Sequence, residues 1–387
     1  MDRSRHLLFS TALVWCCLLG SARAQWYRAE LITEHGERIP FFLQLPENCE
    51  TATATIVNGQ ESIPTSCERD ESGFTLDFPV YETRIEARFV ENGDGAAVGT
   101  WSHFIPTVGK GSTKFEARPV AEPDPRTRFA IGSDEAREPP VDVSGIWRFE
   151  FDLYDLAKGV FHQEFTSVVT GTIEVPSEYG DMRFLAGNVF GRRMVLSTFD
   201  GRHAFLLEGR VGPDGTMHGE WVLDSRYWDP FVAERADDVE LPDPLERVRV
   251  TSTETRLELE HLRSPKYVGK PVIVEIFGTW CPNCNDLAPV LVELHRKHRS
   301  EGLEIVGLAF EFEGDETANE RRVLRFQEKH GAEWDIVIAE QSFEELVRDG
   351  LGGLTPIEGV PVTVFINRDG TIHAVYAGFS GPATGDA

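Results

Sequence analysis

Alternating apolar and polar residues dominate the first part of the chain. Clear alternation occurs at Thr75–Phe78 and at Ile85–Val90, and turn residues such as Asp94-Gly95 separate the runs. A period of two is typical of strands that bury one face. A second group of alternating runs begins near Gly145 and ends near Val232. We therefore predict a large N-terminal all-β region, barrel-like or sandwich-like.

A short motif occurs twice within this β-rich region. The pattern D-G-x-x-x-G-x-W fits a hairpin turn, a glycine where two backbones approach closely, and a tryptophan that fills a core. Both copies are followed by F-x-A. The positions are Asp94 to Trp101 with Phe115, and Asp214 to Trp221 with Phe231. Three interpretations stay open: one duplicated module, two halves of a single barrel or sandwich, or chance similarity of turn residues.

The last third of the chain has a different pattern, in which strands alternate with amphipathic helices. The predicted strands are Val272–Phe277, Glu304–Phe310, Asp335–Ala339, Val362–Ile366 and Ile372–Ala377, and the predicted helices are Cys281–Arg299, Thr317–His330 and Phe343–Val347. A β-α-β start requires a parallel pair joined by a crossover helix. The final hairpin adds antiparallel strands, so we predict a mixed sheet flanked by helices.

Two polar stretches rich in proline and acidic residues separate these regions. The predicted segments are a signal peptide at 1–24, a β-rich domain at 25–118, a linker at 119–140, a second β-rich domain at 141–235 that is a candidate repeat of the first, a linker at 236–246, and an α/β domain at 247–387.

The N-terminus has the features of an export signal. Arg3 and Arg5 form a basic start, Leu7–Leu19 is mostly apolar, and Ala22-Arg23-Ala24 is a small-residue cleavage site. We expect cleavage after Ala24 and a soluble protein in the periplasm or another extracytoplasmic compartment. An uncleaved anchor is the alternative.

Charge excludes some partners. The chain of 387 residues has a formal net charge of −26, and binding to nucleic acid needs clustered lysine and arginine. We therefore expect no nucleic-acid partner. The histidines of the β-rich region, His103, His162, His203 and His218, lack the close spacing of a metal site, and we expect surface or packing roles for most of them.

The six cysteines fall into three groups. Cys16 and Cys17 would leave with the signal peptide. Cys281 and Cys284 form a C-x-x-C motif. In an oxidising compartment the remaining two, Cys49 and Cys67, are then expected to form a structural disulfide. The alternative is that these two stay free and buried.

The C-x-x-C motif lies where a buried strand leads into a helix. The unpaired N–H groups and the dipole of a helix N-terminus stabilise a thiolate at Cys281. Pro282 suits the first helical turn. Cys284, one turn further on, can attack a mixed disulfide formed by Cys281. Half of a zinc site and an inert disulfide are the alternatives; the first would need a second ligand pair. We predict no metal and no cofactor.

The segment from Phe277 to Cys284 resembles the active site of thioredoxin-fold proteins, and most closely that of the exported TlpA/ResA-like thiol–disulfide reductases. Pro289, Gly302–Leu308 and Gly359–Phe365 also match. The resemblance covers about residues 247–381, so the β-rich part is an N-terminal extension to it. It implies a thioredoxin fold for the α/β domain.

The resemblance also implies roles for individual residues. Cys281 would attack and Cys284 would resolve, the two forming a redox-active disulfide. Trp280 would pack beside the sulfurs. Pro361 would be a cis-proline facing the pair, and Val360 would present backbone groups to an extended substrate strand; a trans loop proline is the alternative.

Glu275 interrupts the buried strand six residues before Cys281. A carboxyl group in a low-dielectric site has a raised pKa and can accept a proton near neutral pH. We expect Glu275 to take the proton of Cys284; the alternative is a tolerated acid at a strand edge or one paired with a basic residue. Many ResA-like sequences have a glutamate shortly after the second cysteine, where this chain has Asp286 and Leu287.

These features predict an exported reductase of protein disulfides, recharged by a membrane thiol donor that the resemblance implies. One alternative is a thiol oxidase or isomerase of the same fold, because the Pro-Asn pair between the cysteines leaves the redox potential open. Another is an envelope binding module with a thioredoxin-like scaffold. A peroxidase is disfavoured, because its proline and serine or threonine upstream of the cysteine are missing.

Overall fold

The computed structural model describes residues 24–91, 93–105, 109–130, 138–224, 227–252, 255–311 and 316–384. The predicted export signal lies outside these ranges except for Ala24, and so do Cys16 and Cys17. Within them, no α-helix has both the length and the apolar character needed to span a bilayer.

The first part of the chain is a closed barrel of eight antiparallel strands. Each strand pairs with the next, and the last pairs with the first, for example at Leu31 opposite Phe115. The strands are β1 Ala24–Ile32, β2 Arg38–Pro46, β3 Ala54–Asn58, β4 Glu61–Arg69, β5 Gly73–Phe78, β6 Thr83–Phe89, β7 Ala97–Ile105 and β8 Gly109–Val120. Alternate side chains fill the barrel, among them the fully buried Trp101. A disulfide between Cys49 and Cys67 ties the connection after β2 to β4.

The second part is another ring of eight antiparallel strands. They are β9 Gly145–Phe151, β10 Asp155–Glu164, β11 Val168–Val175, β13 Leu185–Phe190, β14 Arg193–Phe199, β15 Ala204–Val211, β16 Met217–Leu223 and β17 Tyr227–Ala236. β17 pairs with β9 and β10 pairs with β11, which closes the ring. The two-residue strand β12, Gly180–Asp181, pairs with β11 at its end. The predicted N-terminal all-β region is confirmed.

Both copies of the repeated motif occupy the same place in their rings. Asp94-Gly95 and Asp214-Gly215 precede the seventh strand of each barrel, and Trp101 and Trp221 are both at most 1% exposed inside it. Two complete barrels with the same order exclude the interpretation of two halves of one barrel. The observed order favours one duplicated module.

The two barrels pack against each other through β2 and β14. The rings of Phe41 and Phe199 lie 4.7 Å apart. The buried Arg128 donates to Asn58 Oδ1 at 3.0 Å and to the carbonyl oxygen of Ser197 at 3.1 Å. These hydrogen bonds satisfy the buried guanidinium group of Arg128 at the interface and hold the two barrels together.

The C-terminal part is a five-stranded mixed sheet with helices beside it. Its strands are β18 Val272–Phe277, β19 Glu304–Ala309, β20 Asp335–Ile338, β21 Val362–Ile366 and β22 Ile372–Ala377, in the order β20-β19-β18-β21-β22. The β18–β19 and β19–β20 pairs are parallel, and the others are antiparallel. The helices are α1 Pro244–Arg247, α2 Pro282–His298, α3 Glu316–His330 and α4 Phe343–Asp349. The predicted thioredoxin-type α/β domain is confirmed.

Candidate active site

Cys281 lies between the central strand and the first long helix of the C-terminal domain. All six residues of β18 are buried. Cys281 is the N-cap of α2, and its Sγ accepts a hydrogen bond from the backbone N–H of Cys284 at 3.2 Å. Pro282 occupies the first turn, where its missing N–H costs nothing. The helix N-terminus therefore favours negative charge on the sulfur of Cys281.

The two cysteines differ in environment. Both are free thiols; Cys281 is 4% exposed and Cys284 is fully buried. Burial raises the pKa of the Cys284 thiol well above its ordinary value, and the sulfur of Cys281 and the charge of Glu275 raise it further. The small exposed fraction of Cys281 lets its sulfur contact a substrate, whereas the sulfur of the buried Cys284 can contact only Cys281.

Trp280 and the glycine before it shape the turn that leads to Cys281. The indole N–H of Trp280 donates to the carbonyl oxygen of Phe310 at 2.8 Å, and its ring meets Phe343 edge-on at 5.7 Å. A Cβ at Gly278 would lie 2.3 Å from Trp280 Nε1. Only glycine at this position lets the ring fold back over the turn.

The loop before β21 faces the sulfur. The peptide bond between Val360 and Pro361 is cis, and the Cys281 thiol donates to the carbonyl oxygen of Val360 at 3.6 Å. The predicted residues Trp280, Cys281, Cys284, Val360 and Pro361 thus lie around one point.

Glu275 lies in the middle of β18 with no exposed surface. Neither carboxylate oxygen has a hydrogen-bond partner among the residues that the structure describes. Burial raises the pKa of Glu275 to about 8. The alternative of an exposed or ion-paired acid is therefore wrong, because the side chain is enclosed and unpaired within the described residues.

Asp286 is an ion-pair partner of the second barrel and not a free acid beside the two cysteines. Its carboxylate accepts from Arg183 of the second barrel at 2.6 Å. The position that carries a glutamate in many ResA-like sequences here holds a partner for the neighbouring barrel.

Asn285 is a site residue that the sequence pattern does not predict. Its amide group donates to the carbonyl oxygens of Thr279 and Cys281, both at 2.9 Å. Its side-chain oxygen lies 3.0 Å from Lys329 Nζ and 2.8 Å from His330 Nε2. Asn285 therefore fixes the turn of the two cysteines to α3. Nothing in the local pattern distinguishes it from any other polar residue after a C-x-x-C motif.

The second barrel encloses the space beside Cys281. A cavity of about 230 Å³ lies between its end and the C-terminal domain, lined by Cys281, Val360 and residues of both parts. His203, expected to be a surface or packing residue, lines this cavity, with Nδ1 3.1 Å from Asp224 Oδ2.

Residues 232–375 match the AhpC/TSA family. The chain is 31% identical over 124 residues to the thiol-disulfide oxidoreductase ResA of Halalkalibacterium halodurans, which covers 32% of this chain and 62% of that protein. It is 30% identical over 122 residues to ResA of Geobacillus thermodenitrificans, covering 32% of this chain and 63% of that protein. Thus this chain matches less than two thirds of the length of either relative.

The C-terminal domain is a thioredoxin-fold domain and resembles ResA. Among solved structures, a thiol:disulfide interchange protein of Chlorobium tepidum TLS is 29% identical, with 30% of this chain and 76% of that chain covered and a TM-score of 0.23. The similarity to thiol–disulfide oxidoreductases predicted from the sequence is confirmed for this domain. The barrels lie almost wholly outside the matched residues.

Proposed function

We propose that this protein is an extracytoplasmic thiol–disulfide oxidoreductase that works as a reductant through Cys281 and Cys284. The observation that carries the proposal is the position of the Cys281 sulfur at the N-terminus of α2, bonded by the N–H of Cys284 and facing the Val360 carbonyl. Protein disulfides are the substrate class that the resemblance to ResA suggests. The proposed domain division is that predicted from the sequence.

The reaction proceeds in two exchanges. The Cys281 thiolate bonds to one sulfur of the substrate disulfide, and the other substrate sulfur leaves and takes up a proton. Cys284 then attacks the Cys281 sulfur, which forms the Cys281–Cys284 disulfide and releases the second substrate sulfur. Two electrons pass from the protein to the substrate. A dithiol donor, which we propose to be a membrane protein, returns them.

Three residues have supporting roles in this proposal. Glu275 accepts the proton of Cys284 during the second exchange and passes it to the departing sulfur or to water. Trp280 closes one side of the sulfur pair. Pro361 holds the Val360 carbonyl oxygen beside the Cys281 sulfur.

The compartment is proposed from two features. The predicted leader directs export. The disulfide between Cys49 and Cys67 fits an oxidising compartment, since such bonds are rare in the cytosol.

The proposal is tested by equilibrating the protein with dithiothreitol and glutathione redox buffers, which together span both potentials, and measuring the free thiols of Cys281 and Cys284 by alkylation and mass. We expect one reversible two-electron transition, lost in Cys281→Ser and in Cys284→Ser. A potential near −270 mV supports a reductant, whereas one near −120 mV would make the protein an oxidase or isomerase. No transition would leave only the scaffold interpretation.

A further inference from the structure

A segment of the second barrel lies across the surface beside Cys281. The ring of Tyr179 packs on Gly359, where a Cβ would lie 2.4 Å from the ring, and its hydroxyl accepts from the N–H of Glu358 at 3.3 Å. A Cβ at Gly180 would lie 1.9 Å from Nδ2 of Asn283, which stands between the two cysteines. Tyr179 and Gly180 thus occupy the place where an extended protein strand would lie beside Val360.

The segment around Tyr179 to Arg183 is held by contacts with both barrels and with the C-terminal domain. The buried Arg183 forms ion pairs with Glu61 of the first barrel at 2.6 Å, with Asp200 at 3.3 Å and with Asp286 of α2 at 2.6 Å. Asp181 accepts from the N–H of Gly381 at 2.8 Å. Removing one member of such a buried network leaves unpaired charge, which is strongly unfavourable. The segment is therefore a fixed wall of the site.

Within the part of the chain that the structure describes, the space beside the sulfur is a cavity of about 230 Å³. That volume corresponds to roughly eight water molecules, enough for a small group and too little for the surface of a folded protein. A wider cleft of about 860 Å³ lies beside Trp280, but neither cysteine lines it. A substrate disulfide that reaches Cys281 in this structure must be carried on a small molecule or on a narrow, flexible segment of polypeptide.

The cavity has a definite chemical character. Aromatic rings from both parts line it, including Phe205 and Trp221 of the second barrel and Trp280 of the C-terminal domain. Glu178, Asp181 and Glu358 line it, with His203 beside them; burial of the Glu178 carboxyl group raises its pKa, and neither Glu178 nor Glu358 has an ion pair within the described ranges. The guanidinium of Arg183 is already shared among three carboxylates. The mouth therefore attracts positive charge.

Trp221 adds a separate sign of a ligand. It is 1% exposed, it lines the cavity, and its indole N–H has no acceptor among the residues that the structure describes. A buried donor without a partner is unfavourable. A sulfur atom of the bound disulfide, or a carbonyl oxygen of a peptide carrier, can accept this bond, and both are compatible with an amine-bearing carrier.

We propose that this cavity is the substrate site and that it selects a disulfide carried on a small, amine-bearing group. The carrier is a free low-molecular-weight disulfide or a flexible, positively charged end of a polypeptide. This inference rests on the proposed function, the exchange at Cys281 and Cys284, and it leaves the balance of atoms and electrons in that reaction unchanged.

The test compares reduced full-length protein on two disulfides of similar size, cystamine with two ammonium groups and 3,3′-dithiodipropionate with two carboxylates. Each rate of Cys281–Cys284 oxidation is divided by the rate of the same disulfide with dithiothreitol, which removes intrinsic reactivity. We expect cystamine to be preferred by about tenfold, the lower range for a cleft lined by one sign of charge. Insulin should react more slowly than cystamine on the same scale.

A charge variant and a matched control sharpen the test. Glu178→Gln with Glu358→Gln should bring the ratio close to one. Glu293→Gln with Glu328→Gln makes the same charge change at exposed positions of α2 and α3 and should keep the ratio. Equal rates for the two disulfides in the unmodified protein, or insulin faster than cystamine, would overturn the proposal. A protein whose Cys281–Cys284 pair oxidises in the dithiothreitol and glutathione buffers but shows no charge preference refutes this inference alone, whereas no oxidation at all refutes the proposed function.

A further experiment distinguishes a free small disulfide from the end of a polypeptide as the carrier. A short linear peptide with a disulfide-linked cysteine between lysines is compared with cystamine. A faster peptide supports a polypeptide end as the carrier, and a faster cystamine supports a free small disulfide.

Discussion

Replacing Glu275 with glutamine should stabilise the protein in a pH-dependent way. The carboxyl group is fully buried, and burial raises its pKa from an ordinary 4.5 to about 8. Between these values the folded state keeps a proton that the unfolded state has released. Stability therefore falls as pH rises from 4.5 towards 8, and it is highest below 4.5. Glutamine has nearly the same shape and no proton to lose.

The size of the effect follows from the two pKa values. Each pH unit between them costs the folded state about 1.4 kcal/mol, so the carboxyl group costs about 3 kcal/mol at pH 7. At pH 5 the same group costs only about 1 kcal/mol. The free energy of unfolding of Glu275→Gln, compared with the unmodified protein, should thus gain about 3 kcal/mol between pH 5 and pH 8.

Urea unfolding of the reduced protein at pH 5, 6, 7 and 8 measures this difference. Glu304→Gln serves as the control, because that carboxylate on β19 is paired with Lys270 and partly exposed. A stability difference between Glu275→Gln and the unmodified protein that stays constant from pH 5 to pH 8 would show that Glu275 holds no proton in the folded state. The same result would mean that the carboxyl group is ionised throughout this range, and the rate of the second exchange should then not rise through about pH 8.

Four further predictions have defined outcomes. In stopped-flow kinetics, the rate of the second exchange should rise through about pH 8 in the unmodified protein and lack that rise in Glu275→Gln. Arg183→Met should lower the urea-derived free energy of unfolding by about 3 to 5 kcal/mol, whereas Arg148→Met, at an exposed pair, should change it by less than about 1 kcal/mol. Cys49→Ser with Cys67→Ser opens a loop with a sequence separation of 18 and should lower the thermal stability by about 3 kcal/mol in calorimetry. Asn285→Ala should cost about 1 to 3 kcal/mol in urea unfolding, because the carbonyl oxygens of Thr279 and Cys281 lose their donor.

The C-terminal domain was predictable because its signals are local. Strand β18 and the hairpin strands β21 and β22 have the predicted bounds, and α2 and α3 begin within one residue of the predicted positions. A buried strand followed by a capped amphipathic helix depends on contacts between residues close in sequence. The position of Cys281 at the helix start followed from the same pattern.

The enclosure of the site was not predictable, since it depends on residues far apart in the chain. Arg183 is 122 positions from Glu61 and 103 from Asp286. Three single charged residues in strands, turns and a helix carry no sign that they meet. The sequence therefore predicted two β-rich domains but not how they pack against the C-terminal domain. For the same reason it did not relate His203 to the cavity.

The segment that covers Cys281 departs from ordinary backbone preferences. Tyr179 and Arg183 have positive φ angles of 57° and 56°, a region that costs a residue with a side chain about 1 to 2 kcal/mol. Each departure is offset by a contact with the C-terminal domain: Tyr179 packs on Gly359, and Arg183 pairs with Asp286. Arg183 lines the cavity and Tyr179 contacts the loop that carries Val360, so the second barrel contributes to the proposed substrate site through both residues.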